Sequence, residues 1–252
     1  MRDRFAIDPT GRERFEREGL LLLRAAVAPE LCDALRALGE AQLRERIPPF
    51  ESEGEYLGSE RREFRETLRR LRQVYDRDPL FRRWMEWPAI RPLLAELLGA
   101  PPVLVTAHHN ALMSKMPATS SETRWHRDRR YWHYADDRLL SVWLALGEEH
   151  EANGVLEFIP GSHRVRFPPE AFDAREYFRE EPPENRAWIA RKVRYDLEKG
   201  DLVLFHASLL HRAGPNRTER PKLSLVYTVR AADNAPLPGT RSAKFREIPL
   251  PL

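Results

Sequence analysis

The run GDLVLFHASLLHRAGPN at residues 200–216 reads as a short apolar strand with turn residues on both sides. Lys199-Gly200-Asp201 turns the chain into it, Leu202 to Phe205 supply the apolar body, and Gly214-Pro215-Asn216 turns the chain out again. Glycine and proline punctuate regular structure, and four to eight apolar residues between such signals fit a buried strand better than a helix. The segment also carries His206 and His211 near the strand's exit. Either histidine, taken alone, is as readily a hydrogen-bonded core residue as a ligand.

Working outward, the same pattern recurs from Pro102 onward. Val103–Val105, Asn110–Met113, Leu140–Leu146, Val155–Ile159 and Leu223–Val229 are short strand-like runs separated by turns. Asn153-Gly154 is a hairpin signal, because both residues tolerate the positive φ of a type I′ turn. Residues 168–190 are rich in proline and charge and read as an inserted loop or lid. Upstream, Gly19 precedes a Leu20–Leu23 strand, and Pro29 opens an amphipathic helix with Leu31, Leu35, Leu38 and Leu43 on one face. Pro48-Pro49 ends that helix. Two more helices are expected within residues 59–98: a charged one over Arg61–Arg72, and one from Trp87 to Leu98 closed by Gly99. Trp84 and Trp87 mark either a partner surface or core packing. Helices first and many short strands afterwards predict a mainly β fold with flanking helices, a sandwich or barrel. One domain is expected over 1–252, with 1–100 mostly helical support and 101–252 the β core.

Composition narrows the function. With 42% hydrophobic and 32% charged residues the chain reads as soluble and globular, and no apolar run, Leu20–Leu23 included, approaches the length of a membrane span. Met1-Arg2-Asp3-Arg4 lacks the apolar stretch of a signal peptide, so a cytoplasmic location is expected. The lone Cys32 excludes an internal disulfide and a cysteine-based zinc site. The net charge of +3 is a small residue of alternating signs, which sets nucleic acid aside. Oligomeric state is not readable.

The chemistry-bearing segment is Trp125-His126-Arg127-Asp128. Along an extended chain, residues two apart share a face, so His126 and Asp128 aim an imidazole and a carboxylate the same way while Arg127 points elsewhere. His-x-Asp alone is equally a salt-bridged pair. Joined with a histidine from residues 200–216, it gives two imidazoles and one carboxylate, a set that suits non-haem Fe(II) oxygenases; a zinc hydrolase uses the same donors.

At these residues the chain resembles the phytanoyl-CoA dioxygenase family of Fe(II)/2-oxoglutarate oxygenases. The resemblance runs through FEREGLLLL (15–23), the 125–128 segment, RLLSVWLAL (138–146), NGVLEFIPGSH (153–163) and residues 200–216, in that order. It implies a double-stranded β-helix, or jelly roll, and a catalytic metal site of His126, Asp128 and His211 holding Fe(II), with 2-oxoglutarate and O2 as cosubstrates. His206 becomes a supporting or core residue. The resemblance also implies a basic residue eleven positions after the distal histidine to hold the far carboxylate of 2-oxoglutarate. That position is Lys222 where relatives usually have arginine, in a chain with 37 Arg and five Lys. Lysine is a point charge without the bidentate fork, so the change is not conservative. Ser224 shares the Lys222 strand face, Arg220 is the alternative anchor, and another 2-oxo acid, or none, is a third reading. Trp143 and Lys115 match positions lining the cosubstrate pocket, although Trp143 is equally a core aromatic; Ala111 matches another such position but is small.

The expected reaction is hydroxylation of a small organic molecule with release of succinate and CO2. Arg129 to His133 are either substrate contacts or a solvated loop. The competing function is a metal-binding jelly roll without oxygenase activity: an isomerase, a hydrolase or a binding protein.

Overall fold

The structure is a computed structural model that describes residue 5 and residues 7–252; the Met1–Arg4 segment read above lies outside the described residues. Strands are β1 (Leu20–Leu23), β2 (Phe50–Ser52), β3 (Leu68–Arg72), β4 (Pro102–Lys115), β5 (Thr123–His126), β6 (Leu139–Ala145), β7 (Leu156–Phe158), β8 (Val193–Arg194), β9 (Leu202–His206), β10 (His211–Ala213), β11 (Lys222–Ala231) and β12 (Glu247–Pro249). One sheet runs β1-β9-β6-β11-β4-β3-β2, with β12 also on β4; the other runs β5-β10-β7-β8. This is the mainly β jelly-roll class the sequence predicts. The two sheets do not close into a barrel, and among the described residues no strand bridges them.

Seven α-helices among the described residues flank the sheets: α1 (Pro9–Glu18), α2 (Pro29–Arg44), α3 (Glu53–Leu57), α4 (Arg62–Glu66), α5 (Pro79–Met85), α6 (Arg91–Leu98) and α7 (Pro183–Ile189). Helix α1 begins where Asp8 accepts the Gly11 amide at 2.6 Å and ends at Gly19, whose φ of 80° turns the chain straight into β1. Helix α2 turns Cys32, Leu35 and Leu43 inward, and Gly39 lets it sit on β4: a Cβ there would lie 2.7 Å from Leu112. Each leucine buried this way contributes roughly 1.5–3 kcal/mol.

Three expectations are corrected, and one open alternative, at Trp84 and Trp87, is decided. The charged stretch 61–72 is not one helix; only Arg62–Glu66 is helical, and Leu68–Arg72 is strand β3, paired with β4 through Arg70↔Met113. Pairing with an open strand edge overrides local helix preference, and the arginines find carboxylates: Arg69 meets Glu53 at 3.0 Å. Val103–Val105 and Asn110–Met113 belong to a single strand, β4, interrupted by an irregularity opposite Tyr227 and Thr228. Asn153-Gly154 makes no two-residue hairpin, because β6 and β7 lie in different sheets; Glu151–Asn153 is a 3-10 turn ended by Gly154 at φ 80°. Trp84 and Trp87 are core residues, 2% and 5% exposed.

The 168–190 segment is structured. It holds a Phe172↔Phe178 bridge and helix α7. Phe178 and Ala171 are buried with Trp125, Ile159 and Leu210, and Phe167, Phe172 and Trp188 pack against them. This packing sets Tyr177 beside His126, ring centroids 6.3 Å apart. Among the described residues no helix is long and apolar enough to cross a membrane.

Candidate metal centre

Strands β5 and β10 are antiparallel neighbours, and His211 pairs directly with His126. Directly opposite residues project from the same face, which brings the imidazole centroids to 4.3 Å. Strand β5 ends at His126, but Arg127 stays extended at φ −114°, ψ 136°, so the two-residue alternation carries on to Asp128. Arg127 itself turns away, its guanidinium 4.5 Å from the Phe172 ring centre. Donor atoms of His126, Asp128 and His211 all lie within 4.8 Å of one another, and all three residues are buried.

The protons at this cluster can be assigned from its neighbours. His126 Nδ1 lies 2.8 Å from the Arg124 carbonyl and His211 Nδ1 2.9 Å from the Leu209 carbonyl. A carbonyl oxygen only accepts, so each Nδ1 carries a hydrogen, which leaves Nε2 as the ring atom turned toward the cluster. Those Nε2 atoms stand 3.6 and 3.5 Å from Asp128 Oδ1. Burial, with His211 alongside, pushes the His126 pKa down to about 4, so that ring is neutral near pH 7. Burial by itself would raise the Asp128 pKa, but His109 and His211 outweigh it and hold the group well below the usual carboxylate range. Three potential metal-ligand atoms therefore converge in a buried site. Oδ1 has no hydrogen-bond partner among the described residues, whereas Oδ2 accepts from Ser141 Oγ at 2.9 Å and lies 3.3 Å from His109 Nδ1. Two neutral nitrogens and one carboxylate fit a divalent metal with coordination positions left over.

Sequence reasoning did not single out His109 or Ser141. Ser141 looked like an ordinary strand residue. His109 sits in the β4 irregularity with φ 38°, a backbone that sequence pattern does not reveal. His206 is elsewhere: its Nδ1 accepts the Ser208 amide at 3.0 Å and its ring lies 5.1 Å from His163.

A cavity of about 550 Å³ opens beside the cluster, with Lys115, Trp143 and Lys222 on one wall and Arg130, Tyr131 and Tyr177 on the other. Arg220 is exposed and does not line it. Ala111 is buried at 3% exposure in β4 and also stays off the lining. Of the 129–133 segment, Arg129 donates to the Trp132 and Tyr134 carbonyls and Trp132 is buried, so both hold the loop; His133 faces solvent. Lys222, Ser224 and Trp143 do come together, but around a group not foreseen. The buried Glu149 carboxylate accepts from Lys222 Nζ at 3.0 Å, Ser224 Oγ at 2.6 Å and Trp143 Nε1 at 3.1 Å.

The family profile described as Phytanoyl-CoA dioxygenase (PhyH) matches residues 15–224. This chain belongs to the phytanoyl-CoA dioxygenase family. The family is Fe(II)- and 2-oxoglutarate-dependent and uses O2. Among its curated relatives is a probable phytanoyl-CoA dioxygenase of Caenorhabditis elegans, 25% identical over 86% of this chain and 73% of the relative. Among solved structures, EctD from S. alaskensis with bound Fe superposes with a TM-score of 0.77 at 21% identity, covering 92% of this chain and 79% of EctD. The epimerase SnoN in complex with Fe3+, alpha ketoglutarate and nogalamycin RO gives a TM-score of 0.74 at 21% identity, covering 96% and 94%. Members of this fold thus include both a dioxygenase-type scaffold and an epimerase.

Proposed function

We propose that this chain is a non-haem Fe(II)/2-oxoglutarate-dependent dioxygenase that hydroxylates a small organic substrate, with 1–252 acting as one catalytic domain. His126, Asp128 and His211 are its metal ligands. The observation that carries this is the buried trio itself, with both imidazole Nε2 atoms turned toward Asp128 Oδ1 at 3.6 and 3.5 Å. Fe(II) and a 2-oxo acid bound there would supply O2-dependent oxidation of the substrate, with succinate and CO2 as by-products when the acid is 2-oxoglutarate.

The chain's own residues do the positioning. Backbone carbonyls of Arg124 and Leu209 fix the imidazole tautomers, and neighbours of this kind orient metal ligands. Ser141 and His109 occupy one oxygen of Asp128 and leave the other for the metal. Phe158 and Phe205, with ring centres 6.1 and 5.0 Å from His211, keep water from that side. On the substrate side Arg130 stacks 4.2 Å over Tyr177, and Tyr177 shares a 2.9 Å hydrogen bond with Tyr56. That cation between aromatic rings suits an anionic or ring-bearing small molecule.

The test is anaerobic Fe(II) titration followed by addition of 2-oxo acid, read by the visible charge-transfer absorbance of the chelate, and then succinate formation on admitting O2. Wild-type protein should bind one Fe(II) per chain, and His126→Ala or His211→Ala should lose it. Unchanged Fe(II) affinity in either variant rejects the ligand assignment. The second reading, a metal-binding jelly roll without oxygenase activity, is favoured by one observation: Lys222 already has a carboxylate partner in Glu149.

A further inference from the structure

Lys222 and Glu149 side chains are 4% and 0% exposed, and the two form a closed ion pair at 3.0 Å. Glu149 does not swing freely. Its amide donates to the Leu197 carbonyl at 2.9 Å and its carbonyl accepts the Leu197 amide at 2.8 Å, which pins the residue between β6 and β7. Both carboxylate oxygens are filled, Oε1 by Ser224 and Trp143, Oε2 by Lys222 and Trp143. The residues set out to hold a cosubstrate's far carboxylate therefore hold a carboxylate of the chain itself.

Neighbouring charges follow the same rule. Arg69 is matched by Glu53, and Arg70 by Glu51. Lys115, opposite Lys222 in the β4–β11 register, donates from Nζ to the Ser121 carbonyl at 2.9 Å. Burial, with Arg69 and Lys222 nearby, drives the Lys115 pKa well down. Gly154 leaves room for this lysine: a Cβ would stand 2.9 Å from Lys115 Cδ and 2.3 Å from the Gly214 carbonyl oxygen. A second anionic end entering here would meet a neutral pair instead of a bare cation, and would feel Glu149 behind it.

We infer that Glu149 is a specificity-determining residue for the 2-oxo acid: by neutralising Lys222 it removes the premium on a second carboxylate and opens the site to 2-oxo acids with an uncharged far end. This rests on the function proposed above. Losing a net charge opposite a buried carboxylate weakens a charge-assisted contact by about tenfold or more in affinity.

The experiment compares 2-oxoglutarate with 2-oxobutanoate, which has the same chelating end and no second carboxylate. Each is titrated anaerobically into Fe(II)-loaded wild type and Glu149→Gln, with chelate absorbance giving Kd. Wild type should favour 2-oxoglutarate by less than about tenfold. Glu149→Gln, which keeps the side-chain shape, should tighten 2-oxoglutarate by about tenfold and leave 2-oxobutanoate unchanged. A wild-type preference for 2-oxoglutarate of about a hundredfold or more overturns the inference without need of the variant. So does a Glu149→Gln protein that binds 2-oxoglutarate equally or more weakly, the sign that Glu149 merely positions Lys222. Failure of wild type to bind Fe(II), or to chelate either acid, rejects the proposed function itself and the inference with it.

Discussion

Asp128 and Glu149 are both carboxylates at 1% exposure, yet their surroundings are opposite. Glu149 is saturated: three donors from β6 and β11 fill both oxygens. Asp128 is half served, with Ser141 and His109 at one oxygen and two imidazole Nε2 atoms facing the other. Burial of an anion costs several kcal/mol unless it is paired. The first region is balanced within the chain. The second keeps one oxygen turned toward two imidazoles, in the geometry that would hold a cation. Completeness of partnering, more than burial, separates a structural carboxylate from a ligand.

The harshest way to break this contrast is to make Glu149 resemble Asp128. Lys222→Met strands a buried carboxylate and should cost about 3–5 kcal/mol in denaturant melts. The Lys222→Met/Glu149→Gln double variant should recover most of that, and no recovery would show that the pair is not the source of the loss.

Next comes the support of Asp128. Ser141→Ala frees Oδ2 from one donor and should weaken Fe(II) binding by about ten- to a hundredfold, measured by competition with a chelator. Melting of the metal-free protein should change far less.

A smaller effect tests the histidines. His206 carries its proton on the opposite nitrogen from the cluster, because its Nδ1 accepts the Ser208 amide. Burial pushes its pKa down to about 4, with Asp137 working the other way. The unfolded chain takes up this proton near pH 6.5, the folded protein only near 4. Stability should therefore fall as pH drops from about 6.5 towards 4. The loss should be smaller in His206→Asn, and an identical pH profile would remove His206 from the account.

The smallest effect is the control for Lys222–Glu149. Lys199 and Asp33 meet at a shorter 2.6 Å, but at 38% and 58% side-chain exposure. Lys199→Ala should change stability by no more than about 0.5 kcal/mol. A loss like that of Lys222→Met would mean that burial is not what gives the inner pair its weight.

Several of these distinctions were legible from residue order and several were not. The apolar runs around 102–115, 139–145, 202–206 and 222–231 read as strands because hydrophobic runs between turn residues leave few alternatives. Strand β3 was hidden, since Leu68-Arg69-Arg70-Leu71-Arg72 suits a charged helix face until β4 offers an edge and Glu51 and Glu53 offer counter-charges. His126 and Asp128 were visible as a pair from their two-residue spacing. Glu149 was invisible as a partner, lying in a run of charges that resembles a solvated turn.

By itself the sequence determined the kinds of chemistry present: which segments are apolar enough to become strands, where turns must fall, and that two imidazoles, a carboxylate and an unusual lysine are available. Only the tertiary structure decided who meets whom. The β5–β10 register sets His211 opposite His126, and a connection 73 residues before Lys222 delivers the carboxylate that claims it. Local preferences act over a few neighbours along the chain. Register and ion pairing between distant segments are settled by how whole sheets pack, since one residue of slip would turn every side chain of a strand to the other face.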